Sequence, residues 1–83
     1  MSPEILKHSI LEKIPDAQVE IVSADNVHYE ASIISDSFAG LSPVKRQQWV
    51  YTALNPYIAS GALHAIALKT LTHAELEGTR HHG

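Results

Sequence analysis

Cysteine is absent from this chain of 83 residues. No disulfide bond therefore stabilises the fold, and nothing in the sequence indicates an oxidising compartment. The chain also cannot supply a thiolate to a metal cluster, so soft ligands of this kind would have to come from another molecule. Histidine, by contrast, occurs six times.

Basic residues are few, with six Lys and Arg against nine Asp and Glu and a formal net charge of −3. Proteins that bind nucleic acid usually carry a basic excess or a basic face, because contacts with phosphate supply much of the affinity. The only adjacent cations are Lys45 and Arg46. The charge balance therefore argues against nucleic-acid binding as the main role.

Long apolar runs are also missing, and none approaches the roughly 20 residues that a membrane span needs. The residues after Met1 do not resemble a signal peptide. We expect a cytoplasmic protein without membrane contact, built as one domain over residues 1–83, with residues 78–83 as a flexible tail. No Ser-His-Asp, Cys-His or paired-carboxylate arrangement is recognisable, so we do not expect an enzyme.

Three helix starts are marked by capping signals. Ser2-Pro3 and Ser42-Pro43 each combine a capping hydroxyl with a proline suited to the first helical position. The first helix is predicted to end before Pro15 and the second at about Leu54, because Asn55-Pro56 disfavours continuation. Thr72-His73-Ala74-Glu75 has the pattern of a capping box and predicts a last short helix.

Alternating apolar residues predict strands over Gln18–Ser23, Val27–Ser35 and Leu63–Lys69. A short polar turn joins the first two strands as an antiparallel hairpin, whereas a helical crossover makes the second and third parallel. The expected fold is a small α+β domain of order αββα(turn)βα, a three-stranded mixed sheet with helices on one face. The small side chains of Ala65 and Ala67 predict that a helix packs against their side of the third strand.

Two segments, residues 37–50 and residues 63–70, together resemble the signature of the BolA-like family. The residues that carry the resemblance are Phe38, Gly40, Arg46, Val50, His64 and Lys69-Thr70. The resemblance extends from about Ile5 to Glu77, and Gln47 departs from it, since many members have histidine there. It implies a class II KH-like topology. The chain has no Gly-x-x-Gly loop, however, which is the element that KH domains use to hold a nucleic-acid backbone.

Two histidines are candidate metal ligands. His28 lies at the start of the second predicted strand and His64 at the start of the third. If these strands are parallel neighbours, their first residues lie side by side, and imidazole is a good ligand for iron, copper and zinc. A pair of histidines is a weak signal taken alone, and two exposed imidazoles without a ligand are then the simpler interpretation.

The resemblance to the family favours the metal site. It implies that His64, together with His28 in the hairpin region, binds a [2Fe-2S] cluster shared with a monothiol glutaredoxin. The partner's cysteine and glutathione supply the sulfur ligands, and no cofactor is expected in the isolated protein. The expected role is that of an accessory protein in iron–sulfur cluster assembly, trafficking or iron sensing. Alone, the chain is expected to be a monomer or a weak homodimer.

Residues of the second predicted helix suggest a different function for the chain. A contact with a protein partner or nucleic acid is predicted for Lys45, Arg46 and Trp49, together with Lys69 on the third strand. A charge pair such as Lys45-Arg46 is, however, more often part of a solvated helix face. If Trp49 is exposed, this face of the helix is predicted to be a partner surface, because tryptophan is over-represented at binding hot spots. If Trp49 is buried, it belongs to the core. The helix-turn-helix-like stretch from Asp36 to Tyr57 supports the alternative function, a DNA-binding transcriptional regulator of stress response or morphology. A stress-related interaction module remains a third possibility.

Overall fold

The computed structural model describes residues 2–80, which form three α-helices, three β-strands and one short 3-10 helix. The α-helices are α1 (Pro3–Lys13), α2 (Pro43–Ala59) and α3 (His73–Arg80). The strands are β1 (Gln18–Val22), β2 (His28–Ile34) and β3 (Ala65–Leu71), and the 3-10 helix spans Asp36–Phe38. This is the predicted α+β order. No helix within the described range is both long enough and apolar enough to span a bilayer.

The three strands form one mixed sheet in the order β1-β2-β3. β1 pairs with β2 in antiparallel fashion, with Val19 opposite Ile33. β2 pairs with β3 in parallel, with His28 opposite Ala65 and Ile34 opposite Leu71. The parallel pairing predicted from the helical crossover is therefore confirmed. It places the first residues of β2 and β3 at the same end of the sheet.

The core lies between one face of the sheet and helices α1 and α2. Helix α1 contributes Leu6 and Ile10, which are completely buried one turn apart. From the sheet, alternate residues face the same core, with the completely buried Ile33 at its centre. Phe38 fills the space between the sheet and α2 and is also completely buried.

The prediction that a helix packs against Ala65 and Ala67 is wrong. Both alanines are exposed, while the alternate residues Ile66 and Leu68 are half-buried and pack against the core. The larger apolar side chains bury more surface, so they take the covered face of β3. The alanines then lie on the sheet face that α1 and α2 leave open, and Ala67 lies beside Glu30 of β2.

Helix α2 does not stop before Pro56, as the sequence predicts, but continues through it to Ala59. Proline has no N–H for the carbonyl of Thr52, which lies four residues earlier. Both residues are exposed, so water can bind that carbonyl. Beyond the proline, the hydroxyl of Tyr57 lies 2.9 Å from Oγ of Ser9 in α1. Tertiary contacts on both sides of Pro56 therefore hold the helix together where local preference favours a break.

The helix caps follow the sequence signals with one exception. Ser42 Oγ accepts a hydrogen bond from the N–H of Lys45 at 3.2 Å, as expected of an N-cap. Ser2 occupies the N-cap position of α1, but its side chain makes no capping bond. Gly40 and Gly61, before and after α2, have φ angles of +79° and +80°. These left-handed conformations explain why glycine is suited to both positions.

Helix α3 begins with the predicted capping box. The N–H of Thr72 donates to Glu75 at 2.8 Å, and the N–H of Glu75 donates to Thr72 Oγ1 at 3.2 Å. Residues 78–80, which the prediction assigns to a flexible tail, belong to α3, which continues to Arg80, and Thr79 Oγ1 donates to the carbonyl of Leu76 within it. The rest of the predicted tail, residues 81–83, lies outside the described residues.

Candidate functional site

The turn between β1 and β2 is held by a set of short hydrogen bonds. Asp25 Oδ1 accepts hydrogen bonds from the backbone N–H groups of Val27 and His28, both at 2.9 Å. Ser23 Oγ donates to the carbonyl of His28 at 2.6 Å and accepts from the N–H of Asn26 at 2.9 Å. Asn26 has a φ of +59°, a left-handed conformation that asparagine tolerates better than most residues. These bonds fix the backbone that carries His28.

The imidazole of His28 is paired with the same aspartate. Its Nδ1 lies 2.8 Å from Asp25 Oδ2. This side-chain contact is the main reason why the pKa of Asp25 lies well below its usual range, and the two backbone N–H groups lower that pKa further. An ionised carboxylate only accepts hydrogen bonds, so Nδ1 carries the hydrogen. In the neutral form of the ring the lone pair is then on Nε2, and the side chain is 74% exposed.

His64 lies immediately before β3 and is also exposed. It borders a surface cleft whose other lining residues are Tyr51, Ile58, Leu63, Ala65 and Ile66. Within residues 2–80, its side chain forms no hydrogen bond or ion pair. The ring is therefore not engaged by a neighbour in the described part of the chain.

The register separates the two histidines by one step. His28 is opposite Ala65, so the predicted side-by-side pairing of His28 with His64 is not what the strands show. The two residues occupy successive positions at the same end of the β2–β3 pair. In residues 2–80, no group of three or more His, Asp or Glu side chains is placed to hold a metal ion.

Arg46 does not lie on a contact surface. Its residue is only 7% exposed, and its guanidinium donates from Nε to the carbonyl of Leu41 and from Nη1 to the carbonyl of Thr70. Nη1 and Nη2 also bind the two carboxylate oxygens of Glu75. The guanidinium lies over the Phe38 ring, 5.8 Å from its centroid. Arg46 therefore joins α2 to β3 and α3, in place of the predicted contact with a partner.

The other predicted contact residues are dispersed. Trp49 is half-buried and packs edge-on against Phe38, with ring centroids 5.8 Å apart, which places it at the rim of the core. Lys45 is exposed near the start of α2, and Lys69 is exposed on the open face of the sheet. A helix rises about 1.5 Å per residue, so Lys45 and Ile58 are about 20 Å apart along α2. Lys45 is thus far from the cleft of His64.

The stretch from Asp36 to Tyr57 is not a helix-turn-helix. It consists of the 3-10 helix Asp36–Phe38, a turn and most of the single helix α2. A helix-turn-helix motif needs two helices, with the second free to enter the major groove. Here the first element has three residues. The predicted structural basis for DNA recognition is therefore wrong.

Comparison with known proteins agrees with this fold. The sequence profile described as "BolA-like protein" matches residues 2–75. The chain belongs to the BolA-like family. The acid stress protein IbaG of Escherichia coli (strain K12) is 39% identical to this BolA-like chain over 67 residues, which cover 81% of the chain and 80% of that protein.

Two further similarities extend over most of the chain. A protein of Acinetobacter guillouiae from the rpoN-murA intergenic region is 40% identical over 75 residues, which cover 90% of this chain and 89% of that one. The solved structure of a BolA protein homologue from Coxiella burnetii has 30% identity and a TM-score of 0.79. That alignment covers 93% of this chain and 97% of the other.

Two residues of the site region were not identified from the sequence. Asp25 lies in the short polar turn that the sequence predicts between the first two strands, and its carboxylate also binds the imidazole of His28. Glu75 was assigned only to the capping box, whereas it also binds Arg46 from α2. The contact between Glu75 and Arg46 joins elements that are far apart in the chain, so no local sequence pattern predicts it.

Glu75 predicts a pH dependence of stability. Hydrogen bonds from Arg46, and then from the N–H of Thr72, lower the pKa of Glu75 from 4.5 to about 2. Its contribution is complete above the unfolded-state pKa and is lost as the pH falls from about 4.5 towards 2. We expect Glu75→Gln to lower the urea midpoint at pH 7 and to differ progressively less from the wild type in this acid range.

Glu20→Gln is a suitable control for that titration, because Glu20 is exposed on β1 and lies away from Arg46 in the chain. It should follow the wild-type curve at every pH. A constant difference between Glu75→Gln and the wild type from pH 7 to pH 2 would contradict the assignment.

Proposed function

We propose that this BolA-like protein is a non-enzymatic accessory protein of iron–sulfur cluster assembly, trafficking or iron sensing, and that it acts in the cytoplasm. In this role it shares a [2Fe-2S] cluster with a monothiol glutaredoxin. The observation that best supports the proposal is the position of two exposed imidazoles, His28 and His64, at one end of the β2–β3 pair.

The chemistry of the available donors fits a shared cluster. A [2Fe-2S] cluster is usually held by four thiolates, and two imidazoles replace two of them in Rieske-type centres. This chain has no cysteine, so it contributes no thiolate, and imidazole nitrogen is the ligand proposed here. His28 presents Nε2, because Asp25 engages Nδ1. The side chain of His64 makes no hydrogen bond or ion pair with the rest of residues 2–80. The partner's cysteine and glutathione would supply sulfur.

The surface around the histidines suits a protein partner. Four of the large apolar side chains that are exposed lie at this end, and we refer to them as the apolar rim: Val22, Val27, Tyr51 and Ile58. Tyr51 and Ile58 border the cleft of His64, and Val22 borders the cleft of His28. We propose that glutaredoxin contacts this rim. Lys45, about 20 Å along α2 from Ile58, would lie at the periphery of such a contact.

The decisive experiment mixes the protein with a monothiol glutaredoxin that carries its [2Fe-2S] cluster. Replacement of sulfur by imidazole on one iron changes the electronic structure of the cluster and raises its potential. We expect a shifted visible absorption spectrum that requires both proteins. A spectrum equal to the sum of the two separate components would overturn the proposed function.

The name of the Escherichia coli relative supports a place for this chain in the stress response, since that relative is an acid stress protein. Its identity of 39% over most of both chains makes a related role the simplest proposal. This cellular context is compatible with cluster sharing, because a stress can change the supply of clusters.

For duplex DNA we expect weak binding that falls steeply with salt. Arg46, one of the two adjacent cations, is buried, and the net charge is −3. Contacts with phosphate alone typically give a Kd of about 10⁻⁴–10⁻⁶ M. Fluorescence anisotropy with a labelled duplex, at increasing salt, measures this directly. Nanomolar binding to one sequence at physiological salt would instead support the DNA-binding regulator.

A further inference from the structure

We propose that Asp25 is a positioning residue that fixes the tautomer of His28, so that Nε2 is the nitrogen presented to a metal. The inference rests on the proposed function for the identity of the metal site. The role of Asp25 itself is argued from the hydrogen bonds of the turn between β1 and β2.

The two carboxylate oxygens of Asp25 bind different groups. Oδ1 accepts the backbone N–H groups of Val27 and His28 and thereby shapes the turn. Oδ2 lies 2.8 Å from Nδ1 of the His28 ring. A turn needs only the first of these contacts, as an Asx turn shows. The second contact acts on the imidazole alone.

The contact decides which ring nitrogen is available. In neutral imidazole one nitrogen donates a hydrogen and the other accepts. Because the carboxylate can only accept, Nδ1 must donate, and the lone pair is confined to Nε2. Metal-bound histidines commonly use this arrangement, in which the second nitrogen donates to a carboxylate that fixes the ring and raises its basicity.

The backbone around the pair is fixed as well. Ser23 Oγ bonds to the carbonyl of His28 at 2.6 Å and to the N–H of Asn26 at 2.9 Å. The hydroxyl of Tyr29, a buried residue, donates to the carbonyl of Asn26 at 3.0 Å. The turn is therefore attached to the core, and the ring is oriented before any partner arrives. Such preorganisation reduces the entropy lost on binding.

Asp25→Asn is the informative variant, because the amide retains an oxygen for the backbone N–H groups. Its NH₂ group takes the place of Oδ2 and donates to Nδ1, which reverses the polarity of that bond. We expect the Nδ1–H tautomer in the wild type and the Nε2–H tautomer in the variant. Imidazole ¹⁵N chemical shifts, measured in alkaline buffer where the ring is neutral, distinguish the two without any metal.

Asp36→Asn provides a matched control. Asp36 Oδ1 lies 3.1 Å from Nδ1 of His73 in α3, so this variant alters a similar pair that is remote in the chain. It should leave the tautomer of His28 unchanged. Asp25→Ser is a second variant, since a serine hydroxyl also supports a turn but is too short to retain the same contact with the ring.

The cluster provides the second readout. Outer-shell changes of this kind typically reduce metal affinity about 10-fold to 100-fold. We expect Asp25→Asn to weaken formation of the mixed cluster complex by about 10-fold, with unchanged far-UV circular dichroism. Asp36→Asn should form the complex as the wild type does.

The two readouts separate the inference from the proposed function. If the wild-type His28 carries its hydrogen on Nε2, the positioning role of Asp25 is wrong, whatever the cluster does. If the tautomer reverses in Asp25→Asn but the mixed complex forms equally well, the role toward the metal is wrong. If no mixed spectrum forms even with the wild type, the proposed function fails, while the tautomer result still stands.

Discussion

Replacement of His64 by alanine is expected to abolish the shifted spectrum that the protein produces with cluster-loaded monothiol glutaredoxin. The imidazole is exposed beside Tyr51 and Ile58 and has no competing contact within residues 2–80. Without it, we expect the cluster to stay with glutaredoxin and glutathione alone, in all-sulfur ligation, whose potential is lower than that of a centre with imidazole ligands. Visible absorption and electron paramagnetic resonance of the mixture measure the change.

His28→Ala is expected to weaken the shifted spectrum to a smaller extent than His64→Ala does. His8→Ala is the matched control, since His8 is an exposed histidine on α1 whose contact is with Glu12. It should reproduce the wild-type spectrum. If His64→Ala does so too, His64 is not a ligand and the proposed sharing of a cluster is wrong.

Association with the partner is expected to survive the loss of His64. The proposed contact through the apolar rim does not depend on imidazole, and Val22 is 51% and Val27 49% exposed. Size-exclusion chromatography of the mixture with His64→Ala would then show a complex without the shifted spectrum. This result would separate the proposed association with glutaredoxin from the proposed binding of the cluster by His64.

Much of the fold was predictable because its local signals agree with its packing. Ser42 caps α2 and Thr72 with Glu75 forms the capping box, as the sequence indicates. The parallel pairing of β2 and β3 follows from the length of the crossover, and it brings His28 and His64 to one end of the sheet. These features depend on neighbours in sequence or on general rules of connection.

The incorrect sequence-based predictions concern residues at which tertiary contacts override the local conformational preference. Pro56 favours a break, yet α2 continues because Tyr57 reaches Ser9 of α1. Arg46 appears in sequence as half of a basic pair, yet its side chain is buried and binds the carbonyl of Thr70 and the carboxylate of Glu75. Such partners are far away in the chain, and periodicity contains no information about them.

The same internal contacts make Arg46 the residue whose loss should destabilise the fold most among the charged residues. We expect Arg46→Ala to lower the free energy of unfolding by about 2–4 kcal/mol, because charged hydrogen bonds each contribute about 1.5–3 kcal/mol and the carbonyls of Leu41 and Thr70 lose their donor. A domain of this size has a total stability of roughly 4–12 kcal/mol, so the fraction lost is large. The melting temperature should fall by roughly 10–25 °C.

Urea denaturation measures this loss through the fluorescence of Trp49, the only tryptophan in the chain, which packs against the buried Phe38. Lys45→Ala is the matched control: Lys45 is exposed next to Arg46, and its loss should change stability by less than about 0.5 kcal/mol. Arg46→Lys should fall between the two, because an ammonium keeps the charge but has no planar fork for two carbonyls and a carboxylate. Equal stability of Arg46→Ala and Lys45→Ala would show that α2, β3 and α3 are held together without this guanidinium.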